Sequence, residues 1–366
     1  MNLDSRGRQV GQLTRQLAEA RGPVPPFALV RRRHRRRAWR QVALVAAAVI
    51  TAAAVVTVQA RQQASEEVAS QPRSFGRVAA SIRIGGQLSV VRADAAGVWV
   101  QRDAEVVRVD PRTNRVTARL PMSPPGSELG AVGDGSLWLT QVAQGTVTRV
   151  DPATGRTVAT IRVPGAEAPI GIEVAVGPSA VWVTYDLGLG GGIIARVDRA
   201  TNTVAATVRI PDLPGDLAIG DRAVLVRTAT DSSEAYQIDS ATNRVAAKVP
   251  VCRGSNAVAS GAGAFWITCG EGTLLRVDPV AHRVAASVEL GGQAGSAGRV
   301  AADGSVVWVV NLGDTLFRVD SRSNTIVGSG SVTGPSGGYI TDLTVGSDAV
   351  WLTTSHGTLV RFDPDG

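Results

Sequence analysis

One element recurs seven times along the chain. It is a short apolar run, VWV or close to it, centred on Trp99, Trp138, Trp182, Leu225, Trp266, Trp308 and Trp351. The intervals are 39, 44, 43, 41, 42 and 43 residues. A second element, R-V-D or a variant, follows each one at Asp110, Asp151, Asp198, Asp239, Asp278, Asp320 and Asp363. A period near 42 residues is the length of a four-stranded propeller blade, a unit too small to bury its hydrophobic faces without neighbours. The repeat therefore predicts an all-β fold, a seven-bladed β-propeller spanning residues 77–366.

The strands of a blade can be placed within one copy. IEVAVG (Ile172–Gly177) reads as strand a, nearest the axis, where small residues tolerate crowding. A Gly/Asp/Ser turn leads to strand b, AVWVT, a variable loop to strand c, TLLRVD, and the turn D-P-x-T-N/G to strand d, RVAASVEL. Continuous β-branched runs bounded by turn residues suit strands buried on both faces. In the turn, the Asp carboxylate caps, Pro presets φ, and Asn or Gly accepts the left-handed conformation. That role accounts for the recurring Asp, since seven carboxylates spread round a ring cannot share one site. The recurring Trp reads as a wedge between blades.

The final copy, GTLVRFDPDG (Gly357–Gly366), has no strand d, whereas GRVAASIRI (Gly76–Ile84) precedes the first strand a and matches RVAASVEL. The two ends are therefore expected to pair and close the ring in the seventh blade, removing the open edges that invite aggregation.

Charge is divided unevenly. Residues 1–61 carry 12 Arg against 2 acidic residues, while residues 62–366 carry 26 Lys+Arg against 29 Asp+Glu. The basicity lies outside the repeats, which argues against a nucleic-acid partner. It concentrates in RRRHRRRAWR (Arg31–Arg40), just before QVALVAAAVITAAAVVTVQA (Gln41–Ala60), which has no charged residue. Twenty helical residues span about 30 Å, the thickness of a bilayer core. The expected organisation is a basic cytoplasmic segment at 1–40, one transmembrane helix at 41–60, a linker at 61–76 and the propeller at 77–366, outside the cytoplasm. A signal peptide cleaved after Val58-Gln59-Ala60 is the rival reading. Residues 1–30 are a possible contact for a cytoplasmic regulator.

In a propeller the d–a and b–c loops share one face. Here they vary in length while the a–b and c–d turns are short and regular, so function is expected on the d–a/b–c face. Candidate ligand-face residues are Gln101, Arg102, Gln141, Tyr185, Asp186, Asn311 and Asp314. The longest b–c loop, TYDLGLGGGII, reads as a flexible loop or flap; it lacks the spacing and following helix of a phosphate-binding loop. Cys252 and Cys269 fall on the same face and, outside the cytoplasm, could form a disulfide, with two buried free thiols as the alternative. His356, in the b–c loop of the last blade, is the one histidine placed to act as a general base, with Glu271 the nearest comparable carboxylate. His282 reads as a solvated turn residue. The residues present no metal-binding cluster.

The repeat GTLLRVDPVAHRVAASVEL following GAFWITCGE resembles the streptogramin (virginiamycin B) lyase-like and YVTN (YncE-like) groups of bacterial seven-bladed propellers, over Arg77 to Gly366. The lyase resemblance implies a Mg²⁺-assisted elimination using His and Glu on the loop face, for which His356 and Glu271 are the candidates. A weaker similarity, through D-P-A-T-G-R (Asp151–Arg156), is to pyrroloquinoline-quinone propellers. The expected function is a bacterial, membrane-anchored, extracytoplasmic platform binding a protein, peptide or cell-wall glycan without a cofactor. A Mg²⁺-dependent lyase is the alternative.

Overall fold

The computed structural model describes residues 76–364 except 168, 229–231, 292–296 and 333–337. The segment read as a transmembrane helix, with its basic flank and linker, lies outside the described residues. Among the described residues no helix is long and apolar enough to cross a membrane; the only helical pieces are two 3₁₀ turns, Val142–Gln144 and Gly188–Gly190.

Twenty-eight strands form seven antiparallel sheets of four. Blades 1 to 6 each take four consecutive strands, beginning at Leu88, Glu128, Gly171, Pro214, Ser255 and Ala297. Blade 7 takes Ile340–Gly346, Ala349–Thr354 and Thr358–Asp363 as strands a, b and c, and Arg77–Arg83 as strand d. That closing strand pairs from Arg77 opposite Asp363 to Arg83 opposite Thr358. The amides of Ile84 and Gly85 then both donate to the Gly357 carbonyl, at 3.0 and 2.9 Å.

The core lies between blades. Six tryptophans and Leu225 occupy equivalent points of strand b, all buried, each packed in the cluster shared with the next blade. In five of them a strand-c arginine covers the ring, from Arg108 over Trp99 at 5.4 Å to Arg276 over Trp266 at 6.0 Å. The turn carboxylates of Asp110, Asp151, Asp198, Asp239, Asp278 and Asp320 each accept the amides two and three residues on, at 2.7 to 3.3 Å. These bonds hold Asp110, Asp198, Asp239, Asp278 and Asp320 below the usual carboxylate range.

Around the axis, strand a of every blade contacts strand a of the next. Glycine permits that approach at the end of the strand. A Cβ on Gly261 would meet the Ala302 Cβ at 2.5 Å, and one on Gly346 would meet that of Ala93 at 2.8 Å.

Candidate functional site

The axial strands enclose a channel of about 440 Å³. Its lining is set by register. The strand-a residues opposite the strand-b tryptophan position are Arg92, Ala131, Ala175, Ala218, Ala259, Ala301 and Thr344. Two residues earlier, nearer the d–a/b–c face, stand Glu173, Asp216, Arg299 and Asp342 in blades 3, 4, 6 and 7. Glu128 opens strand a of blade 2. The crowded ring of small side chains thus gives way to a charged ring near the loop face.

Asp342 and Arg299 hold blades to one another. Asp342 accepts from Arg92 Nη1 at 2.6 Å and from the Val91 amide at 3.1 Å, joining blade 7 to blade 1. Arg92 Nε donates to the Gly130 carbonyl of blade 2 at 2.9 Å. Arg299 of blade 6 lies 3.8 Å from the Asp342 carboxylate and donates to the Thr341 carbonyl at 3.1 Å. In blade 4, Asp216 pairs with Arg227 at 3.4 Å. A buried partner of one of these charges could not be removed without leaving the other uncompensated.

Glu173, like Glu128, forms no hydrogen bond or ion pair among the described residues, and its side chain opens onto the channel between blades 2 and 4. The Glu173 side chain is exposed to the channel, and desolvation by the strands around it, reinforced by the Asp216 charge, raises its carboxyl to about 7; Arg92 and Arg227 offset this in part. The channel therefore carries one carboxyl group poised to ionise near neutrality and lacking a cation.

The residues anticipated on the loop face have other duties. Tyr185 is fully buried in the cluster between blades 2 and 3, which overturns its reading as a ligand-face residue; burial pushes its hydroxyl upward. Gln101 and Gln141 are also buried. Gln101 Oε1 accepts the Leu129 amide at 2.8 Å, and Gln141 Nε2 donates to the Pro125 carbonyl at 2.7 Å. Both serve packing, because the end of strand b is covered by the loop entering or leaving a neighbouring strand a. Arg102 pairs with Glu105 at 2.7 Å. Asp186 accepts the Gly188 amide at 2.8 Å. Asn311 accepts the amides of Gly313 and Thr315, and Asp314 accepts the Ile340 amide of blade 7 at 3.0 Å.

The glycine-rich loop of blade 3 is closed, not a flap. Strands b and c run to Asp186 and from Gly192, and the residues between bond to one another, with the Leu187 amide donating to the Gly191 carbonyl at 2.9 Å. Its glycines answer to crowding: a Cβ on Gly192 would meet Pro214 Cδ at 2.1 Å.

Cys252 and Cys269 are joined as a disulfide with Cα atoms 6.0 Å apart, tying the loop before blade 5 to the end of its strand b. His356 and Glu271 are both exposed, in the b–c turns of blades 7 and 5, with blade 6 between them. Among the described residues no three His, Cys, Asp or Glu side chains are grouped to hold a metal ion. His356 and Glu271 thus do not form a fitting site for Mg²⁺.

Sequence reasoning missed the channel charges. The signal was present: Glu173, Asp216, Arg299 and Asp342 put a charge at one repeated position of largely uncharged strands.

No family model and no curated protein matches the chain. Among solved structures, the WD40 domain of Neurospora crassa Pan2 is similar, with a TM-score of 0.63 and 11% identity, over 81% of this chain and 98% of that domain. At that identity the likeness shows the propeller fold alone.

Proposed function

We propose that the chain is a recognition platform that binds a positively charged group of a protein or peptide partner at the channel mouth on the d–a/b–c face. The observation that carries this reading is Glu173, a channel-facing carboxyl without a counter-charge beside Glu128 and Asp216, where Asp342 and Asp216 are already paired with Arg92 and Arg227. An arriving lysine or arginine supplies the missing counter-charge and lowers the Glu173 pKa as it binds. A neutral glycan offers no such charge. The test is titration with a pentalysine peptide against a pentaglutamate control. Saturable, salt-sensitive binding of pentalysine is expected, weakened at least tenfold by Glu173→Gln. Equal affinity in the variant refutes the proposal.

Residues 41–60 are further proposed to anchor the propeller in a bacterial cell membrane, with residues 1–40 in the cytoplasm and the propeller outside. The uncharged run and the seven arginines between Arg31 and Arg40 support this. Protease added to intact cells should then digest the propeller; its full protection refutes the topology. Contact of residues 1–30 with a cytoplasmic regulator fails if their deletion changes neither partner recovery nor signalling.

The resemblance to YVTN-type propellers agrees with a binding role. The lyase alternative rests on His356 and Glu271, and binding and phenotype unchanged in His356→Ala and Glu271→Ala would remove it.

A further inference from the structure

On the face formed by a–b and c–d turns, each blade repeats one arrangement, and one junction departs from it in three places. In six blades a strand-b tryptophan lies opposite a strand-c arginine, as Trp138 opposite Arg149 and Trp351 opposite Arg361. In blades 2 and 7 the arginine reaches the c–d turn of the next blade. Arg149 donates to the Arg199 carbonyl at 2.8 Å and Asn202 Oδ1 at 3.1 Å; Arg361 donates to the Pro111 carbonyl at 2.8 Å and Asn114 Oδ1 at 3.4 Å. In blade 4 the pair is Leu225 opposite Gln237. In the blade 5 turn that Gln237 faces, the left-handed position held elsewhere by Asn114, Asn202, Asn243 and Asn324, and by Gly155 in blade 2, is His282, at φ 54°. The junction of blades 4 and 5 holds a cleft of about 660 Å³ lined by Gln237, His282, Phe265 and Val280.

The substitutions leave one buried acceptor without a partner in a lining that also holds the exposed Asp221 and Arg222. Gln237 Nε2 donates to the Pro279 carbonyl, as the arginine would, but its Oε1 has no hydrogen-bond partner although the residue is 1% exposed. Buried polar groups are rarely left so. Leu225 is a second departure. Trp266 and Trp351 donate their ring N–H to the carbonyls of Gly261 and Gly346, at 3.2 and 3.0 Å. Gly220, in the cleft lining, holds the corresponding place, and Leu225 has no N–H to offer it. Phe265 replaces the Val or Leu found at its position in the other blades and packs with Leu225, supplying an aromatic wall. Val280, at the lip, is 83% exposed.

We propose that this cleft is a binding site for an indole ring, the side chain of a tryptophan on a partner polypeptide. The ring packs on Phe265 and Val280 and its N–H donates to Gln237 Oε1, restoring what blade 4 lacks. The site is on the opposite face from the channel mouth and does not depend on the function proposed there.

The test uses the full-length protein and 5-fluoroindole, followed by fluorine NMR, with indole and N-methylindole as competitors. Saturable binding is expected, with N-methylindole competing at least tenfold more weakly than indole because it lacks the N–H. Gln237→Leu should weaken 5-fluoroindole about tenfold. Leu225→Trp combined with Gln237→Arg rebuilds the repeat and should abolish binding while leaving the thermal midpoint no lower. Absence of saturable binding, equal competition by the two indoles, or full binding by Gln237→Leu or the rebuilt variant overturns the proposal.

Discussion

Removing residues 77–85 should destabilise the whole ring, although the segment is the first strand in the chain and the outermost of its blade. The strand contributes Ile84, 5% exposed, and partly buried Val78 and Ile82 to the clusters on either side of blade 7. Fully burying an Ile or Val side chain is worth about 1.5–3 kcal/mol, so one full and two partial burials amount to about 4–5 kcal/mol. The lost ladder bonds, about 1 kcal/mol each, are nearly balanced by backbone entropy of about 1–2 kcal/mol per released residue. A loss of about 5 kcal/mol is a large share of an ordinary domain's stability and corresponds to a fall in melting temperature on the order of 10 °C. The assay is thermal unfolding followed by tryptophan fluorescence and circular dichroism. Both signals should shift together, because the opened edge weakens contacts on both sides of the blade. A peptide of residues 76–86 added in trans should restore part of the loss by pairing with the exposed edge. An unchanged melting temperature refutes the clasp reasoning. In the intact chain, Ile84→Ala should cost about 2–4 kcal/mol.

Two further outcomes are expected. Because the Glu173 carboxyl is raised to about 7, the folded state binds more protons than the unfolded one between its ordinary value of 4.5 and 7. Stability from this group is therefore complete at acid pH and is lost as pH rises through 7; channel water holds the loss to on the order of 1 kcal/mol. Denaturant unfolding at pH 5 and pH 8 should show this fall in the wild type and not in Glu173→Gln; an identical fall in both would assign it elsewhere. Replacing Cys252 and Cys269 by Ser opens a loop of 17 residues and should cost about 3 kcal/mol, read as a lower denaturation midpoint.

The blade count, the Trp wedges, the Asp-capped turns and the pairing of the chain ends were legible in the sequence because each repeats. A feature that recurs at one position seven times can be assigned to the scaffold without knowing its neighbours. The site was legible only in part. Tyr185 ends a strand buried on both faces, and nothing local separates a buried strand end from an exposed one. Gln101, Thr184 and Thr268 are polar because each bonds a backbone group of another blade, and Gln141 because it bonds the loop leading into its own blade. The glycines at 190–192 read as a loose loop because crowding by Pro214 and Ile210 is invisible along the chain. The channel charges and the blade 4–5 cleft both lie where copies differ. Each is a single departure from the repeat, and only the folded ring sets such departures beside one another.

The central claim is that Glu173 faces the channel without a counter-charge. Its carboxyl titration, followed by carbon NMR with and without pentalysine, tests that directly. The account predicts a value of about 7 in the free protein, falling when the peptide binds. A free value in the ordinary carboxylate range near 4.3, unmoved by the peptide, would contradict it.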